Sequence, residues 1–114
     1  MAYDEDLADR VRQQLSDREA DREAITEKTM FGSLAFLLGG NLAVCVRADD
    51  LLVRVGPDGM AEALADKHAR RFEMGERQMK GWVLVAQPAL ETDAGLRDWV
   101  RRGAGFARSL PAKG

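Results

Sequence analysis

"MFGSLAFLLGGNLAVCVRADDLLVRVG", residues 30–56, decides the fold. Apolar residues fall at nearly every second position, and the residues between them, Cys45, Asp49 and Asp50 included, form no obvious catalytic group. Period two predicts strands. Met30 to Leu38 reads as the first strand. "GGN", Gly39 to Asn41, supplies residues that tolerate positive φ in a tight hairpin turn. Leu42 to Arg47 is the second strand, "ADD" turns the chain again, and Leu51 to Val55 is the third. The stretch is therefore expected to be a three-stranded meander.

Outward from the meander the period changes. Upstream, Leu7, Val11 and Leu15 recur every four residues among charges, which predicts a helix over residues 4–20 with Asp4, Glu5 and Asp6 near its positive end. "DREADREA", Asp17 to Ala24, repeats a tetrapeptide once and reads as an exposed helix end or charged linker. Downstream, "GPDG" breaks the sheet and Met60 to Lys67 forms a short helix. Arg71 to Met74 and Lys80 to Ala86 form a second hairpin. Thr92 caps a last helix carrying Leu96, Trp99, Val100, Gly103, Phe106, Ala107 and Leu110 at helical spacing, and Pro111 ends it. The expected class is α+β, a two-layer α/β sandwich in the order α-β-β-β-α-β-β-α with a mainly antiparallel sheet. No long linker divides the 114 residues, so residues 1–114 read as one domain.

Alternation also assigns faces. Leu34, Phe36, Leu38, Leu42, Val44, Val46, Leu51, Val53 and Val55 fall together, with Trp82 and Leu84 continuing that face under the helices. Trp82 and Trp99 are then expected in one core. Ala35, Leu37, Ala43, Cys45, Leu52, Val83 and Val85 fall on the other face, around Arg47 and Arg54. With all helices on one side, this second face is an open, mostly apolar contact surface. Gly103 and Gly105 weaken the last helix, and a close approach of helix to sheet is the expected compensation.

The net charge is −2, against the basic surface that a dedicated nucleic-acid binder usually needs. The charge is uneven. Residues 1–27 carry a net −5 and residues 28–114 a net +3, so the acidic first segment and basic last helix could attract each other. The single cysteine, Cys45, excludes an intramolecular disulfide, as suits a reducing cytoplasm. The acidic N-terminus has no apolar signal core, and the longest apolar run, "LAFLL", is too short to span a bilayer.

No reaction centre is legible. Cys45 would need a base, and the one histidine, His68, lies in a charged segment far away in sequence. One Cys, one His and scattered carboxylates give no metal-ligand spacing, and the glycine stretches lack the pattern of phosphate loops. No cofactor is expected. Arg47, Arg54 and Lys80 are the candidate binding residues, either for a protein partner or, in an alternative reading, for a small anion. The basic last helix, with Arg97, Arg101, Arg102 and Arg108, is a further alternative as a direct nucleic-acid contact.

"TEKTMFGSLAFLLGGNLAVCV", "LLVRVGPDG", "QMKGWVLV" and "WVRRGAGFARSLP" together resemble the TfoX N-terminal domain, or Sxy, family, in order and at family spacing. The resemblance implies a two-layer α/β fold related to secretion-chaperone-like folds, in the order α-β3-α-β2-α. It also implies a role in bacterial transcription: full-length members regulate natural competence as coactivators with the cyclic-AMP receptor protein and carry a second, helical domain. The expectation is a stand-alone, single-domain member of that family. It would be a non-catalytic, cytoplasmic protein-interaction domain, docking transcription machinery, a regulator or a second copy of itself. It would meet nucleic acid only indirectly, and membranes not at all.

Overall fold

The computed structural model describes residues 3–16, 25–30, 32–74 and 77–111. Among them, α1 (Glu5–Ser16) is followed by four strands, β1 (Ile25–Met30), β2 (Ser33–Leu38), β3 (Asn41–Arg47) and β4 (Asp50–Arg54). A 3₁₀ turn (Pro57–Gly59) runs into the short α2 (Met60–Leu64). Then come β5 (Ala69–Met74), β6 (Arg77–Val85), a second 3₁₀ turn (Gln87–Leu90) and α3 (Asp93–Ser109). The strands form one antiparallel sheet in the order β1-β2-β3-β4-β6-β5. The class and the two layers agree with the sequence reading, and the sheet has one strand more.

That strand is β1. Ile25–Met30 is exposed along its centre, as an edge strand is, so its side chains carry no apolar alternation to announce it. Gly32 takes φ 80°, the chain reverses, and Met30 pairs with Ser33, so the expected single strand from Met30 to Leu38 is the end of one strand and all of the next. Asp4 lies at the head of α1 and caps it, its carboxylate accepting from the N–H groups of Asp6 and Leu7. The expected extension of this helix through residues 17–20, and the "DREADREA" linker, lie outside the described residues. Thr92 caps α3 as expected, its hydroxyl accepting from the Gly95 N–H at 3.0 Å.

All three helices cover one face. Leu7, Val11 and Leu15 of α1, Ala63 of α2, and Leu96, Trp99, Val100 and Ala107 of α3 bury one core with that side of the sheet. The sheet contributes Leu34, Phe36, Val44, Val46, Leu51 and Val53, as the alternation predicts, but also Val83 and Val85. The expected placement of Trp82 and Leu84 on this face is corrected by the β4–β6 register. Val53 pairs with Val83 and Leu51 with Val85, whereas Arg54 pairs with Trp82 and Leu52 with Leu84. Directly opposed residues share a face, so Trp82 and Leu84 lie on the far side. Both parities of "GWVLVA" are apolar, and alternation alone could not choose between them.

Leu42 also changes sides. Phe36 pairs with Val44 but Leu37 with Leu42, leaving Ala43 as an extra residue in a β-bulge. The bulge turns Ala43 toward the helices and Leu42 away from them. α3 crosses here. A Cβ at Gly103 would stand 2.5 Å from the Ala43 carbonyl oxygen and 2.7 Å from Val44 Cγ1, which is the expected close approach. A Cβ at Gly105 would meet nothing within 4 Å, so the same explanation fails for that glycine.

The helices are tied to the edge and to each other by a few polar contacts. Arg12 of α1 grips Glu27 of β1 through Nε–Oε2 and Nη2–Oε1, both 2.7 Å, and also contacts Asp9. The expected attraction of acidic first segment to basic last helix is inverted where it can be seen. Arg10 of α1 pairs with Asp93 at the head of α3 at 3.5 Å. The buried Asn41 side chain donates to the Pro111 carbonyl at 2.9 Å, pinning the chain after α3 to the start of β3.

Candidate functional site

The face away from the helices is where an exposed contact surface was expected, and its centre is already dry. Ala35, Cys45, Leu52, Phe72 and Leu84 form a second apolar cluster, each less than a tenth exposed. Among the described residues no helix lies on it. The cover comes from the sheet: Met30, at one edge of the six strands, and Phe72, at the other, line the same pocket of about 300 Å³. A flat sheet would hold these edges far apart. The sheet is therefore curled into a trough, with Cys45 and Leu52 of the central strands between its walls and Met79 and Trp82 of β6 completing one side.

Arg47 lies at the end of β3, exposed, and lines this pocket. Its guanidinium stands 5.1 Å from the centre of the Phe72 ring, a cation–π contact. Among the described residues it forms no ion pair. Arg47 and Phe72 also line an adjoining groove of about 820 Å³, to which Arg70 and Arg71 contribute cations and Asp50 and Glu73 carboxylates. Arg54 is half-buried. It lies between Trp82, at 5.3 Å, and Phe106 of α3, at 5.2 Å, bridging the trough side of the sheet to the last helix. Lys80 is exposed and lines a different cavity of about 260 Å³, beside Pro57 and Met60. The three expected binding residues thus share the neighbourhood of β6 but do not converge on one cavity, and a single anion clasped by all three does not fit this arrangement.

Cys45 lines the pocket, and burial pushes its thiol pKa up, against the opposing pull of a Ser33 hydrogen bond and the Arg47 charge. It is therefore a protonated packing group at neutral pH, not a thiolate. His68 lies in the turn between α2 and β5, with its backbone N–H donating to Asp66. On α3, Arg102 is engaged by Asp98 at 3.0 Å and stacks 4.4 Å from the Trp99 ring, so the basic helix does not present all its arginines to a phosphate backbone.

Sequence reasoning missed Met30, Phe72 and Met79 as parts of this surface, because they come from strands distant in sequence, β1, β5 and β6, that meet here only through the curl. The signal available was the register: once Val83 and Val85 are matched to Val53 and Leu51, Trp82 must face the trough.

A family model described as the TfoX N-terminal domain matches residues 17–107, most of the chain. No curated protein and no solved structure matches it.

Proposed function

The chain belongs to the TfoX N-terminal domain family, and from that premise we propose that it is a non-catalytic interaction domain in bacterial transcription, of the competence-regulating kind. The observation that carries this reading is the trough: a sheet face without helix cover among the described residues, apolar along its centre and rimmed by Arg47 and Arg54. Apolar centres with arginine at the margin are the composition of protein interfaces, since arginine stacks and hydrogen-bonds through a rigid fork. The partner in this reading is a subunit of the transcription machinery or a receptor-type regulator. That no helix among the described residues is long and apolar enough to cross a membrane is consistent with such a partner.

The test is capture from an extract of the native cell, with identification by mass spectrometry, using the wild-type chain and Arg47→Glu. Arg47 is exposed, so its charge can be reversed without disturbing the core. Wild type should retain an RNA polymerase subunit or a cyclic-AMP-receptor-type regulator. Arg47→Glu should lose it at unchanged melting temperature. Equal retention by both proteins, or retention of neither class of partner, overturns the reading.

A further inference from the structure

We propose that the trough pocket binds a small amphipathic carboxylate: a short acyl or aryl body carrying one anionic head. The inference stands on the pocket itself and does not require a protein partner on the same face.

The volume sets the size. About 300 Å³ is at the small end of the ~300–1,000 Å³ range of ligand sites. At ~30 Å³ for each water-sized group it holds about ten non-hydrogen atoms. The walls set the chemistry of the body. Leu52 and Phe72 are rigid apolar surfaces, while Met30, on edge strand β1, and Met79, on β6, are unbranched and can repack around bodies of different shape. The neutral Cys45 thiol adds no charge to the interior.

The head is chosen by Arg47. Among the described residues it is the one charged group lining this pocket, and its guanidinium has an aromatic ring for a neighbour and no paired carboxylate. A planar fork with free donors at the mouth of an apolar pocket matches a carboxylate. Ser33 also lines this space, with its side chain hydrogen-bonded to Cys45. The surroundings reinforce the sign: the adjoining groove sets Arg47, Arg70 and Arg71 against Asp50 and Glu73, and Lys80 lies beyond Met79. Among the described residues, the groove's cations outnumber its carboxylates by one, a small positive excess in a chain of net −2. An amine offers the fork no acceptor, and a neutral carbonyl accepts from it without the charge assistance that a carboxylate gains.

The experiment titrates the full ¹⁵N-labelled chain with 3-phenylpropanoate and with octanoate, and in parallel with 3-phenylpropanamide and 3-phenylpropan-1-amine. Both acids should saturate, with amide shifts clustered at Cys45, Leu52 and Phe72. The neutral amide should bind roughly tenfold more weakly, the scale of one charge-assisted hydrogen bond, and the amine not at all. Arg47→Gln should lower acid affinity by roughly the same tenfold and amide affinity by much less, at an unchanged melting temperature. Arg47→Lys, which keeps the charge but loses the fork, should fall between. Equal binding of acid and amide, shifts scattered over the surface, or no saturation by either acid into the millimolar range overturns the proposal. So does binding of peptides with C-terminal phenylalanine in the absence of free-acid binding, which would assign the pocket to a protein ligand. Failure of the capture experiment leaves this result untouched, and the reverse holds too.

Discussion

On the helix side of the sheet, Phe36, Val44, Val46, Leu51, Val53, Val83 and Val85 are fully buried beneath the helices. On the other side, Ala35, Cys45, Leu52, Phe72 and Leu84 are nearly as dry, yet what shields them is the curl of the sheet that carries them. The first face lies on the outside of that curl and is built mainly of β-branched residues. The second is concave, with small residues at its centre and Met30, Phe72, Met79 and Trp82 at its walls. A face closed by helices is committed to one packing, because every contact is shared with another element. A face closed by its own margins leaves a cavity, and that cavity is where a ligand or partner can add burial.

The two tryptophans give the strongest test of this contrast. Trp99 is 2% exposed on α3, inside the helix-side core, and Trp82 is half-buried on the trough wall beneath Arg54. Trp99→Ala should cost ~3–5 kcal/mol and lower the melting temperature by on the order of 10–20 °C. Trp82→Ala removes half-buried apolar area and one cation–π contact, about 1–2 kcal/mol. Thermal denaturation of both variants decides it: equal losses would make the trough as much a core as the helix side.

A smaller effect separates two glycines of α3. Gly103 touches backbone at the Ala43 bulge, and Gly105 faces open space. Gly103→Ala gains helix propensity of ~1 kcal/mol but forces α3 off a carbonyl oxygen, for a net loss of about 1–2 kcal/mol. Gly105→Ala has no such obstacle and should stabilise by ~0.5–1 kcal/mol. Opposite signs in denaturant midpoints are expected. A stabilised Gly103→Ala would mean that α3 has room to lift from the bulge.

The meander, the second hairpin, the α3 cap and the helix-side core residues of β2 and β4 were legible because their signals are local: turn residues, alternation and a Thr before a helical stripe. What was not legible depended on register. Ala43 gives no sign that it is an extra residue, yet it sends Leu42 to the opposite face. The parity of β6 is invisible because Trp82, Val83, Leu84 and Val85 are all apolar. β1 was hidden because an edge strand with Thr26, Glu27, Lys28 and Thr29 exposed has no apolar face to read. Arg47 and Arg54 were visible as unusual charges in apolar strands. The ring partners that hold them, Phe72, Trp82 and Phe106, are distant in sequence and had to be seen in space.

The smallest expected effect tests the margin between the two faces, where α1 is clamped to β1. The Arg12 guanidinium, through its paired hydrogen bonds first and its charge second, holds the Glu27 carboxyl below its ordinary pKa, with partial burial opposing. A carboxyl whose folded pKa is lowered stabilises the fold above its unfolded pKa of ~4.3, and that contribution is lost as pH falls through the folded value. The pair is partly exposed, with 42% of the Arg12 side chain and 34% of the Glu27 side chain accessible. Water and salt therefore screen it to the ~0–1 kcal/mol of surface ion pairs. Glu27→Gln should then lower the melting temperature by only about 1–4 °C at neutral pH. The difference from wild type should shrink on acidification toward about pH 3 and also in ~1 M salt. A difference that survives both conditions would show that Glu27 holds β1 through packing of its stem rather than through charge. The trough wall bearing Met30 would then be fixed by the sheet alone, independently of α1.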